Sequence, residues 1–247
     1  MTRELEQLLS DLGSHPALNN NFYREWMTKR LTIEGLELFA RNYGAWVKSF
    51  PDAIAILVKT TEDPYAKAEY VKTLYSEMGY GHAEKAHSIL LENFFKELAV
   101  RFGQESRLDS SRLVNKLELL TPTEELINGE QALYGDHLLS VGAQLALEWQ
   151  AYTMLRQLYD GARNYLDLWS NPDNFHEACE YFYMHIGAAE KDHKDESINA
   201  VKRYAVDQKS LSRITDGYNR HLELIFNFWE GLYQEVSKVS RQIAAAS

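Results

Sequence analysis

The sequence predicts an all-α protein in a single domain. Three observations carry that prediction. Apolar residues recur at helical spacing along most of the chain. No segment alternates apolar and polar side chains as a half-buried strand does. The 247 residues contain only five prolines, which leaves room for long uninterrupted helices. There is no internal repeat and no low-complexity segment.

A short amphipathic helix is expected over residues 3–13, where Leu5, Leu8, Leu9 and Leu12 share a face and Gly13 and Pro16 close it. Phe22 to Lys29 forms a second. Thr32 caps a longer helix whose apolar positions are Leu36, Phe39, Tyr43, Trp46 and Val47, with Glu34 and Glu37 near its positive end. Pro51 is expected to interrupt it before Ala53 to Lys59 resumes. Asp63-Pro64 opens the next helix, which runs to Glu77 and is broken by Gly79 and Gly81. A new helix is expected from His82 to Phe102, followed by a polar loop over 103–110. Leu113 to Leu120 reads as a short helix, and another follows Pro122. Leu138 to Leu166 has a strong helical period. Ser170 to Asp173 is the clearest turn, with helix from there to about Ala205 and a last helix from Ser210 to Ala244 with a frayed C-terminus.

A formal net charge of -10 disfavours nucleic acid, whose phosphates repel an acidic surface. Cys179 is the only cysteine, so an intrachain disulfide and a zinc-thiolate cluster are both excluded. That fits a reducing cytoplasm. No apolar run reaches the length of a membrane span, and the first residues carry acidic side chains with no signal-peptide core. The expected setting is the cytoplasm, with no membrane partner.

The chemistry-bearing stretch is His185 to His193. Glu190 and His193 are three apart, so on a helix both can reach one metal ion. Carboxylate with imidazole suits iron or manganese. Alone the pair is a weak signal, but other segments supply partners. Glu77 ends one helix and His87 begins the next, across Met78-Gly79-Tyr80-Gly81. Glu148 sits in the apolar run Ala143 to Trp149, where a carboxylate is costly unless paired or metal-bound. Each residue also has an ordinary reading: Glu77 as a solvated helix end, His87 as a hydrogen-bonded histidine, Glu148 as a partner of Arg156 or Lys191. His185 could pack among Tyr181, Phe182 and Tyr183, and His193 lies in a charged run. A rival inventory uses Glu84 with His87, Glu148, and Glu190 with His193, plus Glu34 or Glu37, as in ferritin-like proteins.

At these residues the chain resembles the heme-oxygenase-like diiron oxidase superfamily, and within it the CADD-like proteins, over roughly residues 20–235. The segments Glu77 to His87, Ala146 to Gln150 and Tyr181 to His193 carry the resemblance. It implies a heme-oxygenase-like bundle of seven main helices without heme, with Glu77, His87, Glu148, His185, Glu190 and His193 as metal ligands. It also implies two iron ions as cofactor, dioxygen as cosubstrate, and a small-molecule substrate such as an amino acid or fatty acid. Nitrile formation and oxidative C–C cleavage in specialised metabolism are among the outcomes it suggests, and a homodimer is the expected assembly.

One departure matters. The family spaces its last three ligands by four and seven residues from the first, whereas His185, Glu190 and His193 are spaced by five and eight. On a regular helix a spacing of eight is displaced by roughly 80°. A bulge or local unwinding is therefore expected near Gly187-Ala188-Ala189, with Asp192 as the substitute ligand if the helix is regular. Trp149, Tyr152 and Tyr80 are candidates to line an apolar pocket, with core packing the plainer reading of each. The competing functions are a metal-free enzyme like the thiaminases or pyrroloquinoline-quinone synthases, a ferritin-like iron-handling protein, and a non-catalytic interaction protein.

Overall fold

The structure is a computed structural model that describes residues 3–105, 107–108, 119–186 and 189–246. The side chains of 3–5, 8, 185, 189–193, 195, 196 and 246 lie outside that description. The described residues are helical with no strand. In chain order the helices are α1 (Arg3–Asp11), α2 (Asn21–Thr28), α3 (Ile33–Thr60), α4 (Pro64–Glu77), α5 (His87–Arg101) and α6 (Thr121–Tyr134). Then follow α7 (Leu139–Ala162), α8 (Pro172–Ala178), α9 (Glu180–Tyr183), α10 (Ala189–Tyr204) and α11 (Gln208–Ala246). Short 3₁₀ turns join several of them. Among the described residues, no helix is long and apolar enough to cross a membrane.

The helix starts follow their local chemistry. Asn20 Oδ1 accepts from Tyr23 N, Thr32 Oγ1 from Gly35 N, and Asp63 Oδ1 from Tyr65 N and Ala66 N, so each side chain satisfies amides the helix leaves open. The first residues of α6 have no such local cap. Asn42, buried on α3, supplies it instead: its Oδ1 accepts from Leu120 N at 3.0 Å and from Thr123 Oγ1 at 2.8 Å.

The expected interruption at Pro51 does not occur, and α3 runs through it. Proline there removes one backbone hydrogen bond. Tyr43, Trp46 and Val47 before it, and Ala53, Ile54 and Leu57 after it, are all buried, and that packing on both sides outweighs the lost bond. Two other boundaries shift. Helix α5 begins only at His87, after a 3₁₀ turn at Ala83–Lys85, and α7 ends at Ala162, giving way to a 3₁₀ stretch. The expected helix at Leu113 to Leu120 lies largely outside the described residues.

Helix α11 runs through the protein, packed on α7, α6 and α3. Its Trp229 joins Phe22, Tyr23, Phe39 and Tyr43 in an aromatic core, with centroid separations from 4.8 to 6.3 Å. Glycines let α7 approach its neighbours. A Cβ on Gly142 would lie 1.8 Å from Ile214 O, and one on Gly217 would lie 2.1 Å from Leu139 O. At its other end Gly161 makes the slot for Trp26, whose Nε1 donates to Leu158 O at 2.7 Å. Because backbone faces backbone at Gly142, alanine there cannot be absorbed by a side-chain shift. Gly142→Ala is expected to cost ~3 kcal/mol or more, at or beyond the upper end for overpacking. Chemical denaturation checks this; a midpoint equal to wild type would refute the close crossing.

Candidate metal centre

Glu77 closes α4 and His87 opens α5, and the bend between them brings the two side chains together. Gly79, Tyr80 and Gly81 all have positive φ, at 71°, 55° and 87°. Glycine takes that backbone freely, while tyrosine does so at a cost. The chain then turns through His82 N→Gly79 O and Lys85 N→His82 O hydrogen bonds. The result is a contact of 2.8 Å between His87 Nδ1 and Glu77 Oε2, with both side chains largely buried. An ionised carboxylate only accepts, so Nδ1 is the donor in this contact, which leaves Nε2 as the ring nitrogen that a metal would take.

The bend is tied to the rest of the fold at α9. Lys85 Nζ pairs with both carboxylate oxygens of Glu180, at 2.7 and 2.8 Å. One residue on, the Tyr181 ring meets the His87 imidazole edge-on with centroids 6.2 Å apart. The Tyr181 and Tyr43 hydroxyls are 2.7 Å apart, and burial pushes both phenols well above their ordinary pKa.

Glu77 and His87 line a cavity that encloses about 110 Å³. Glu148, 6% exposed on α7, lines the same cavity. Its Oε1 accepts from Gln144 Nε2 at 2.6 Å, and Gln144 Oε1 accepts from the Tyr134 hydroxyl, also at 2.6 Å. One of the two partners considered for Glu148 from sequence, Arg156, lies instead on the surface beside Asp160. Much of the remaining wall is apolar, with Val47, Phe50, Leu147, Ala151, Met154 and Leu155. Tyr80 lines the cavity as expected, its hydroxyl 3.0 Å from Ser76 Oγ. Trp149 and Tyr152 do not; they stack under Lys194 Nζ at 5.7 and 5.3 Å.

The structure therefore brings three of the six expected ligands to one cavity: Glu77, His87 and Glu148. The side chains of His185, Glu190 and His193, and of Asp192 and Lys191, lie outside the described residues, as do Gly187 and Ala188. The backbone on either side is not one continuous α-helix: residues 184–186 form a 3₁₀ turn, and α10 starts at Ala189. Among the described side chains, no three ligating groups converge tightly enough to hold an ion by themselves. Of the rival inventory, Glu34, Glu37 and Glu84 are engaged elsewhere. Arg107 pairs with Glu34 and with Glu37, each at 2.8 Å, and Glu84 is exposed beside His82.

Sequence reasoning missed a second buried pair. Glu130 on α6 and His221 on α11 are both out of solvent, with His221 Nδ1 3.9 Å from Glu130 Oε1. Trp46, which lines the cavity, donates from Nε1 to Glu130 Oε2 at 3.2 Å. Burial pushes the Glu130 carboxyl up to about 8, with the negative charge of Glu77 adding to the rise. Burial also pulls His221 down to about 3. Burial thus favours the uncharged form of each partner, a carboxylic acid and a neutral imidazole. The signal was present: Glu130 falls on the stripe of Leu126, Leu133 and Tyr134, and His221 on that of Tyr218 and Ile225.

The donor set fits a hard or borderline cation such as iron: two carboxylates and an imidazole at one partly enclosed cavity, with no thiolate available since Cys179 is buried elsewhere. The comparisons bear on this. A family model described as an iron-containing redox enzyme matches residues 37–225. No curated protein matches the chain. Among solved structures, a CADD-like protein of unknown function from Nostoc punctiforme, in two crystal structures, superposes with TM-scores of 0.73 and 0.71 at 15% and 16% identity. These cover 94% and 95% of this chain and 96% and 95% of the other. A domain of unknown function with a heme oxygenase-like fold from Shewanella denitrificans superposes at 0.66 with 13% identity, covering 96% of this chain and 94% of its own. The fold is heme-oxygenase-like.

Two outcomes follow from this geometry. A Cβ on Gly79 would lie 2.6 Å from Lys85 C in a backbone of positive φ. Gly79→Ala is expected to lose ~1–3 kcal/mol and to separate Glu77 from His87, read by denaturation together with the imidazole NMR shifts of His87. The second concerns pH. The stability that neutral Glu130 contributes is fully present below the ordinary carboxylate pKa and is lost as pH rises through about 8. Glu130→Gln keeps an acceptor for Trp46 and cannot ionise. Its melting temperature relative to wild type should therefore rise from about pH 5 to about pH 9. The His221 contribution, lost as pH falls toward its own low pKa, is common to both proteins. A difference that does not change with pH would show that Glu130 is ionised throughout.

Proposed function

The chain belongs to the family of iron-containing redox enzymes, and we propose that it is a non-heme di-iron oxidase that uses dioxygen to oxidise a small molecule. The observation that supports this most is the buried Glu77–His87 contact on the wall of the cavity that also holds Glu148. Glu77, His87 and Glu148 would hold the ions together with His185, Glu190 and His193. Bound iron would supply the electron transfer to dioxygen, which side chains alone cannot perform.

The chain's own residues do the rest. The Glu77 carboxylate orients the His87 ring and fixes its tautomer. Edge contact with Tyr181 restrains the same ring from the α9 side. Val47, Phe50, Leu147, Met154 and Leu155 offer an apolar wall that binds hydrocarbon and excludes water. Thr73 and Ser76 on α4 add polar side chains to that lining, their hydroxyls donating to Glu69 O and to the Tyr80 hydroxyl. An amino acid with an apolar side chain or a fatty acid has this combination of a hydrocarbon body and one polar end.

Anaerobic titration of metal-free protein with ferrous iron tests the reading. Uptake of about two ions per chain is expected, followed by a transient visible absorbance on mixing with dioxygen. His87→Ala and Glu148→Ala should each weaken binding by at least ~10-fold. Absent iron uptake, or uptake unchanged in both variants, would refute the metal centre. Uptake of many ions per chain with no oxidised product from a panel of amino and fatty acids would point to iron handling instead.

A further inference from the structure

We propose that Gln144 is a positioning residue for the metal centre, with Tyr134 holding it in register. The inference rests on the metal-centre reading of Glu148. Gln144 and Glu148 are one helical turn apart on α7, so their side chains meet on one face. Both are buried, at 2% and 6% exposure. Gln144 Nε2 donates to Glu148 Oε1 at 2.6 Å. The amide could equally present its oxygen, which would repel the carboxylate. The acceptor on Glu148 prevents that: with Nε2 turned to the carboxylate, Oε1 meets the Tyr134 hydroxyl, which donates to it at 2.6 Å.

Tyr134 is itself fixed. It is fully buried, and its carbonyl accepts from Thr60 Oγ1 at 2.8 Å. Its phenol is pushed well above the ordinary value by burial and next by Glu130, which is charged in the alkaline range where a phenol titrates, so it stays a donor near neutral pH. The side-chain bonds Tyr134–Gln144–Glu148 therefore run one way, from α6 into α7, while Thr60 on α3 holds the Tyr134 backbone. Gln144 occupies one lone-pair direction of Oε1 and so biases how the Glu148 carboxylate presents itself to a cation. Gln144 thus bears on how Glu148 ligates without touching the ion.

Cobalt(II) titration of the metal-free protein tests this, reading both affinity and the visible ligand-field bands. Gln144→Met preserves length and approximate volume while removing the donor. It should bind cobalt ~10–100-fold more weakly, with altered bands, and Tyr134→Phe should show the same band change with a smaller loss of about 3-fold. Altered bands separate positioning from a general loss of structure, because packing damage alone lowers the melting temperature of metal-free protein without changing the ligand field. Cobalt affinity and bands in Gln144→Met that match wild type would overturn the proposal and leave the metal centre standing. Wild-type protein that binds neither cobalt nor iron would overturn both. If Gln144→Met does not fold, Tyr134→Phe decides: unchanged bands overturn the proposal, and shifted bands uphold it.

Discussion

A carboxylate and an imidazole held 2.8 Å apart, both nearly out of water, form the contact on which the site depends. Each group alone would be costly to bury, and together they satisfy one another. Neither α4 nor α5 could bring them together as a continuous helix, since ten residues separate them along the chain. The left-handed run at 79–81 is what folds the chain back, and the Lys85–Glu180 pair then anchors the bend to α9. That anchoring places Tyr181 against His87 and, through the Tyr43 hydroxyl, against α3. Four helices are thereby referred to a single hydrogen bond.

The cavity is rich in negative charge for its size. Glu77 and Glu148 line it, and Glu130 stands behind Trp46. Three carboxylates cannot all ionise cheaply in so dry a place. The protein resolves this unevenly. Glu77 has His87, Glu148 has Gln144, and Glu130, which has only the Trp46 N–H and a distant His221, remains an acid. The influence of Glu77 on Glu130 shows that the two sites share one electrostatic field. Positive charge at the cavity would relieve both, which is a physical reason for this interior to favour cations.

Much of the fold was legible because it rests on periodicity and caps, which are local. Thr32 and Asp63 cap the helices their sequence positions announce. Pro51 misled because a local rule was overridden by burial on both sides of it. The start of α5 was misplaced for the opposite reason: no capping side chain marks it, and Ala86 simply precedes His87. At the site, Glu77, His87 and Glu148 were readable from their odd surroundings, a bend and an apolar run. Gln144, Tyr134 and the Glu130–His221 pair were not singled out. A buried glutamine or tyrosine looks like any other residue on a helix face until its partner, ten or more residues away, is brought to it.

Glycine serves the two described sides of the cavity in different ways, and the difference bears on how each holds its polar side chains. Glu148 lies between Gly142 and Gly161, positions where α7 meets another backbone and a tryptophan ring with no room for a Cβ. Its placement is therefore set by packing against α11 and α2, well away from the cavity, and changes in the cavity lining have little leverage on it. Glu77 and His87 depend instead on the φ values of three residues in a bend that is exposed at Tyr80 and Gly81. Tyr80 holds its left-handed backbone through local contacts, its hydroxyl on Ser76 and its ring edge-on to Tyr75 at 5.6 Å. A ligand carried on close-packed helix keeps its position whatever occupies the cavity, whereas one carried on a bend can adjust to it. In the proposed centre the carboxylate on the rigid wall would thus be the reference, and the Glu77–His87 pair the part able to follow changes in what is bound.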